Sequence, residues 1–209
     1  SAKKDNMEIL NPIEGIQFSK FPTDIVNQAQ TIIDNINQKH LDANKLILYV
    51  DAILGDLRFE EGTSKRFENA IKEVFEIIGF KASQPEREVG KGPDDFVMLG
   101  AGDYLVIECK NETITETICK HDCNQLIGSL SWFNNLYQED GIDCIPIMIH
   151  NSNLFTYECS PLPQMKIITP LLLSKFKENV RKCVIAIAQS NNFKNVENMN
   201  NIIKIYKLD

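Results

Sequence analysis

Apolar residues along the chain recur at spacings that switch from helical to extended and back, and the switches mark the elements. Ile25, Ala29, Ile32, Ile33 and Ile36 fall on one helical stripe, with Thr23 or Asp24 able to cap its start and Lys39-His40 near its end. Leu46 to Val50 has the residue types of a strand, but Ala52, Ile53 and Leu57 extend the pattern at helical spacing and favour a helix from about Ala43 to Arg58. Thr63 or Ser64 opens the clearest helix, with Phe67, Ile71, Val74, Phe75 and Ile78 on one stripe and Gly79 as terminator. A polar passage, Lys81 to Glu88, then ends in Gly90-Lys91-Gly92-Pro93.

Two short apolar runs follow. Phe96-Val97-Met98-Leu99 and Tyr104-Leu105-Val106-Ile107 flank Gly100-Ala101-Gly102-Asp103, a link rich in residues that tolerate turn geometry, so the segment predicts a β-hairpin. A long helix is expected from about Glu116 to Tyr137, with Gly128 inside it at a cost of about 1 kcal/mol of propensity. Ile142 to Ile149 predicts a central strand, irregular at Pro146. Residues 151–170 hold three prolines and suit loop and short-strand structure, Leu171 to Ala188 suits a helix, and an Asn-rich turn precedes Ile202 to Tyr206. This order predicts an α/β fold with a mixed central β-sheet flanked by helices. Residues 1–60 are expected to form an N-terminal arm and helical appendage, and residues 61–209 the main domain. Residues 1–22, broken by Pro12, Gly15 and Pro22, read as a tail or an arm resting on another surface.

Composition narrows the classes. At 209 residues, 43% apolar and 24% charged, the chain fits one sizeable globular domain with a small appendage. A net charge of −7 argues against a general polyanion-binding surface but leaves room for a local basic groove around an acidic centre. Six cysteines in a chain with a full apolar core are better read as buried free thiols of a reducing cytosol than as three disulfides. No apolar run approaches the roughly 18 residues of a spanning helix, and no apolar segment follows Ser1-Ala2-Lys3-Lys4-Asp5, so the expectation is a soluble cytoplasmic protein without a membrane partner. The missing initiating Met is expected of a trimmed chain or an excised domain, with sequence upstream.

The candidate chemistry lies between Gly92 and Lys110. Glu108 and Lys110 are two apart, so on a strand their side chains leave one face while Cys109 points the other way. A hairpin turning near residues 100–103 brings Asp94 back toward Glu108. Such charges at the end of the most apolar strand pair are costly unless they hold an ion or a ligand. Hard carboxylate oxygens suit Mg²⁺ or Mn²⁺, the carbonyl of Cys109 can add a ligand, and Lys110 can orient or help deprotonate the attacking water and offset charge on a phosphoryl transition state.

Pro93-Asp94 followed by Glu108-Cys109-Lys110 resembles the PD-(D/E)xK superfamily, the restriction-endonuclease-like nucleases. The resemblance implies an α-β-β-β-α-β core and Mg²⁺-dependent cleavage (Mn²⁺ as substitute) of DNA ahead of RNA, in a restriction or defence setting. It implies a supporting Glu on the first core helix, which Glu68 resembles, and a polar residue on the helix after the Lys strand, which Gln125 resembles. Asp94, Glu108, Lys110, Glu68 and Gln125 are thus the expected catalytic residues. Asp94, Glu108, Glu68 and the Cys109 carbonyl are the expected metal ligands. Asp95 competes with Asp94 for the metal role, which the family assigns to the residue after the Pro. A homodimer and an upstream or partner motor or recognition domain would supply double-strand cutting and translocation, since no phosphate-binding loop is present.

Plainer alternatives stay open. The trio could be an ordinary ion pair on a solvated hairpin edge, Glu68 an i,i+4 partner of Lys72, and Gln125 a solvent-facing helix residue. Arg87, Lys91 and Lys81 could touch a nucleic-acid backbone or lie in a solvated loop. Cys119, His121 and Cys123 invite zinc, but His121 points off the face that the two cysteines could share. His150 could lie near the sheet end. The whole could also be a catalytically silent nuclease-fold interaction or regulatory domain.

Overall fold

The computed structural model describes residues 15–21, 27–137, 142–190 and 192–209. Seven helices and five strands are formed among them: α1 (Gln28–Gln38), α2 (Ala43–Asp56), α3 (Ser64–Ile77), β1 (Lys81–Ser83), α4 (Pro85–Val89), β2 (Asp95–Gly100), β3 (Asp103–Lys110), α5 (Lys120–Leu136), β4 (Asp143–His150), β5 (Lys166–Ile168), α6 (Pro170–Gln189) and α7 (Val196–Ile205). The strands form one open, mixed sheet in the order β1-β2-β3-β4-β5. The pairs β1–β2 and β2–β3 are antiparallel, whereas β3–β4 and β4–β5 are parallel. The fold class expected from the patterning is the one observed. The run α3-β1-β2-β3-α5-β4, with only the short α4 inserted, also follows the order α-β-β-β-α-β.

Period-two alternation sorts the strand residues into two cores. Phe96, Met98, Tyr104, Val106 and Met148 meet Leu126 and Phe133 of α5 on one face. Val97, Leu105, Ile107, Cys109, Ile147 and Ile149 face the other way and join α1, α2, α3, α6 and α7. Each such buried side chain stabilises by roughly 1.5–3 kcal/mol. The alternation therefore carries Glu108 and Lys110, at the end of β3, onto the face covered by α5. Pro146 is accommodated because β5 pairs only with Ile147 to Ile149, so no β5 backbone stands beside the proline.

Several local expectations change. The polar passage contains β1 and α4: Lys81 to Ser83 pairs with Phe96 to Met98, and Pro85 starts α4 at a position where a missing N–H costs nothing. Helix α5 begins at Lys120, because Ile118 instead forms a parallel bridge with Phe155. The tail is helical, with the Asn195 side chain accepting from the Asn198 N–H. Helix α1 is capped by Asn27; the expected caps Thr23 and Asp24 lie outside the described residues. Residues 15–21 rest on an aromatic cluster, where Phe18 and Phe21 meet Phe96 and the Phe21 N–H donates to the Tyr137 hydroxyl at 2.9 Å.

Gly79 ends α3 with φ +94°, and a Cβ there would stand 2.5 Å from the Gln28 carbonyl oxygen. Gln28 in turn donates to the Ile78 and Leu208 carbonyls at 2.8 and 2.6 Å, joining the ends of α3 and the chain to α1. Gly79→Ala is expected to lower unfolding free energy by about 2 kcal/mol or more in chemical denaturation, whereas Gly62→Ala, with open space around it, should cost less.

Candidate active site

The register of the hairpin builds the site. Asp95 stands opposite Ile107, so the next position outward sets Asp94 opposite Glu108. Where strand pairing ends, the Asp94 carboxylate continues it: Oδ2 accepts the Cys109 N–H at 2.7 Å. Glu108 is 4% exposed and both its oxygens are engaged, Oε1 by the Ser129 hydroxyl of α5 at 2.6 Å and Oε2 by Lys110 Nζ at 3.5 Å. Asp95 projects through the sheet to the other face. Its carboxyl accepts from Gln84 Nε2 at 3.3 Å and from the Cys109 thiol at 3.7 Å, away from Glu108. Of the two neighbouring aspartates, Asp94 is thus the one on the Glu108 face.

The residues after Lys110 position α3. The Glu112 carboxylate accepts the Ser64 N–H at 2.7 Å and so caps the helix, a role expected of Thr63 or Ser64. Asn111 donates to the Thr63 hydroxyl at 3.0 Å. This clamp brings Glu68, just beyond the first turn of α3, into range of Asp94. Its carboxyl is raised to about 7, first by burial and then by the Asp94 charge. The alternative considered for Glu68, an ion pair with Lys72, is not made; Lys72 pairs with Glu76 at 3.6 Å.

Two participants went unread in the sequence. Glu86 of α4 shares a hydrogen bond with Asp94, which together with burial raises its pKa. Ser129 holds Glu108. Both line a pocket of about 190 Å³ together with Gly92, Glu108, Gln125 and Gly128, so the exposed Gln125 borders the cleft without a hydrogen bond to the carboxylates. Ser129 had a signal, one helical turn beyond Gln125; Glu86 had none, standing as one charge in a polar passage. Arg87 itself donates to Gln84 at 2.9 Å and to Asn69, tying α4 to α3, which is not the solvated loop considered for it.

Negative charge exceeds positive charge in this cleft. Burial first, then Asp94, pushes Glu108 up to about 7 against the opposing help of Ser129 and Lys110. Burial works against the Lys110 ammonium, but Glu108 and Asp94 outweigh it and raise its pKa. The donors Asp94, Glu108, Glu68 and the Cys109 carbonyl are hard oxygens, the chemistry that suits Mg²⁺ or Mn²⁺. Among the described residues, however, no three or more His, Cys, Asp or Glu side chains are already arranged to hold an ion. Ion binding would require Glu108 to exchange its Ser129 or Lys110 partner. The same holds for zinc at Cys119, His121 and Cys123: Cys119 turns its thiol to Asp122 at 3.2 Å, while Cys123 is buried and His121 exposed. His150 is buried at the register position of Lys110, with Nδ1 accepting the Ser152 N–H at 2.9 Å, and burial lowers its pKa.

No protein-family model, curated protein or solved structure matches the chain. The five-stranded mixed sheet flanked by helices is consistent with a PD-(D/E)xK-type fold.

The raised carboxyls set a pH dependence. Glu68 and Glu108 ionise near 7 in the folded chain and near 4.3 in the unfolded chain, so between these values the folded state holds the extra protons and stability falls as pH rises. In chelator, the unfolding free energy should therefore decline from pH 5 to pH 8, and Asp94→Asn, which removes a shared repulsive charge, should flatten that decline. Denaturant titrations at the two pH values measure it.

Proposed function

We propose that the chain is a divalent-metal-dependent nuclease that hydrolyses phosphodiester bonds, in DNA ahead of RNA, and that it belongs with the PD-(D/E)xK nucleases. The observation that supports the reading is the hydrogen bond from the Cys109 N–H to Asp94 Oδ2 at 2.7 Å, one position beyond the Asp95–Ile107 pair, beside the Glu108–Lys110 ion pair of the same strand. Asp94, Glu108, Glu68 and the Cys109 carbonyl would hold the ion, with Glu86 as a further carboxylate beside Asp94. A bound Mg²⁺ or Mn²⁺ would polarise the phosphate and make an attacking water more acidic. Lys110, kept cationic by its two acidic neighbours, donates to a phosphate oxygen and offsets developing charge, a role that suits it better than abstracting a proton. Gln125 and Ser129 supply polar groups at the pocket wall. Ser129 also fixes the Glu108 rotamer, so that the carboxylate faces Asp94 and not solvent.

A restriction or defence role, a cytoplasmic location, a homodimer for double-strand cutting and a motor or recognition partner belong to the same proposal. Among the described residues no helix is long and apolar enough to cross a membrane.

A second reading is a catalytically silent nuclease-fold domain used for interaction or regulation. The absence of a preassembled metal-ligating group among the described residues favours it over the enzyme, as does the engagement of both Glu108 oxygens by protein. Incubation of plasmid and single-stranded DNA, and of RNA, with Mg²⁺ or Mn²⁺ separates the two. The enzyme reading predicts cleavage lost by about 100-fold or more in Lys110→Ala and Asp94→Asn. Absence of cleavage of every substrate by the unaltered chain would establish the silent domain.

A further inference from the structure

Two glycines line the pocket beside Glu108, and the fold accounts for only one of them. Gly92 has φ +107°, and a Cβ there would stand 2.8 Å from the Trp132 ring and 2.9 Å from Pro85 Cβ, so the turn before Asp94 takes no other residue. Gly128 is different. It lies inside the 17-residue helix α5 at an exposed position, outside the left-handed region, and a Cβ there would meet nothing within 4 Å beyond its own stretch of helix. Neither backbone conformation nor close packing calls for glycine here, and a glycine inside a helix costs about 1 kcal/mol relative to alanine. The missing side chain leaves open space, and that space adjoins the carboxylates. Ser129, the next residue, donates to Glu108 Oε1 at 2.6 Å, and Gln125 stands on the same wall one turn earlier.

The two helical walls of the pocket differ in charge. Helix α4 brings Glu86 to it. Along α5, the stripe formed by His121, Gln125, Gly128 and Trp132 holds no carboxylate, in a chain of net charge −7. A phosphate-bearing strand is repelled by the first wall and not by the second. We propose that the bare backbone at Gly128 seats the sugar-phosphate of the nucleic-acid strand to be cut, an inference that rests on the nuclease reading of the carboxylates. Glu108 is only 4% exposed, so a phosphodiester reaches it only by coming close to α5, and any side chain at position 128 would stand in that approach. Gly128 is thus a specificity-determining residue that carries no reacting group. The Gln125 amide, which has no hydrogen bond to the carboxylates, is left to donate to the seated strand.

The test is a side-chain series at this position, Gly128→Ala and Gly128→Leu, in the full chain. Gly55→Ala is the control: Gly55 is in α2, on the opposite face of the sheet, and a Cβ there would meet only the Arg58 guanidinium at 3.9 Å. Melting temperature, Mn²⁺ binding by calorimetry, binding of a labelled oligonucleotide in Ca²⁺ and its cleavage in Mg²⁺ are measured for each. Gly128→Ala should raise the melting temperature by about 2 °C, the gain in helix propensity. It should leave Mn²⁺ binding unchanged, yet lower oligonucleotide affinity and kcat/KM about tenfold, and Gly128→Leu should lower them about 100-fold. Gly55→Ala should leave both unchanged. Higher stability with weaker binding sets a filled seat apart from a damaged fold, and should Gly128→Leu fail to fold, Gly128→Ala carries the comparison. Full affinity and cleavage in folded Gly128 variants overturn the inference and leave the nuclease reading standing. A chain that cleaves nothing but binds the oligonucleotide, and loses that binding in Gly128→Leu, keeps the seat and removes the nuclease reading; no binding and no cleavage by the unaltered chain removes both.

Discussion

One hydrogen bond sets the geometry of the candidate site: the Cys109 N–H donating to Asp94 Oδ2 at the open end of the β2–β3 hairpin. A strand pair that stops there leaves a backbone donor without a strand partner, and a buried N–H without a partner costs as much as a lost hydrogen bond. The Asp94 carboxylate fills that place. In doing so it is fixed across from Glu108 and cannot turn away to solvent. Two like charges are thereby held together by the requirements of main-chain pairing, which are independent of any reaction.

The surrounding residues answer the cost of that arrangement. Ser129 donates to Glu108 from α5, Lys110 brings a positive charge to the same carboxylate, and Glu86 meets Asp94 through a shared hydrogen bond. Glu112 and Asn111, directly after Lys110, hold the start of α3 and thereby the approach of Glu68. Five elements contribute to the cleft, yet three of its carboxyls still have raised pKa values. Repulsion that is left after hydrogen bonding and one ammonium have been applied is what a divalent cation would relieve. The same repulsion can persist in a fold that has kept its hairpin and given up catalysis, which is why geometry and chemistry have to be tested apart.

The hairpin, its same-face pair and the flanking helices were legible in the sequence because they rest on short-range periodicity. Phe96 to Leu99 and Tyr104 to Ile107 are short unbroken apolar runs on either side of a glycine-containing turn, and Phe67, Ile71 and Val74 repeat at helical spacing. What escaped reading depends on distant partners. Lys81-Ala82-Ser83 lacks branched and aromatic residues and becomes a strand only because β2 offers it an edge. Asp94 and Asp95 are indistinguishable in composition, so the choice of Asp94 rested on the residue after the Pro, and it is pairing with β3 that turns Asp95 away toward Gln84. Ser129 and Glu86 look like surface residues until α5 and α4 are laid over the hairpin. Glu112 looks like an ordinary loop acid until it is seen to cap a helix that begins 48 residues earlier.

The central claim is that Asp94 and Glu108, opposed across the hairpin, form the seat of a divalent cation. Calorimetric titration of the full chain with Mn²⁺ near neutral pH, beside Asp94→Asn, tests it most directly. The account predicts saturable binding that is weakened at least about tenfold in the variant, with protons released from the site on binding. Absence of binding, or equal binding by both proteins, would contradict it.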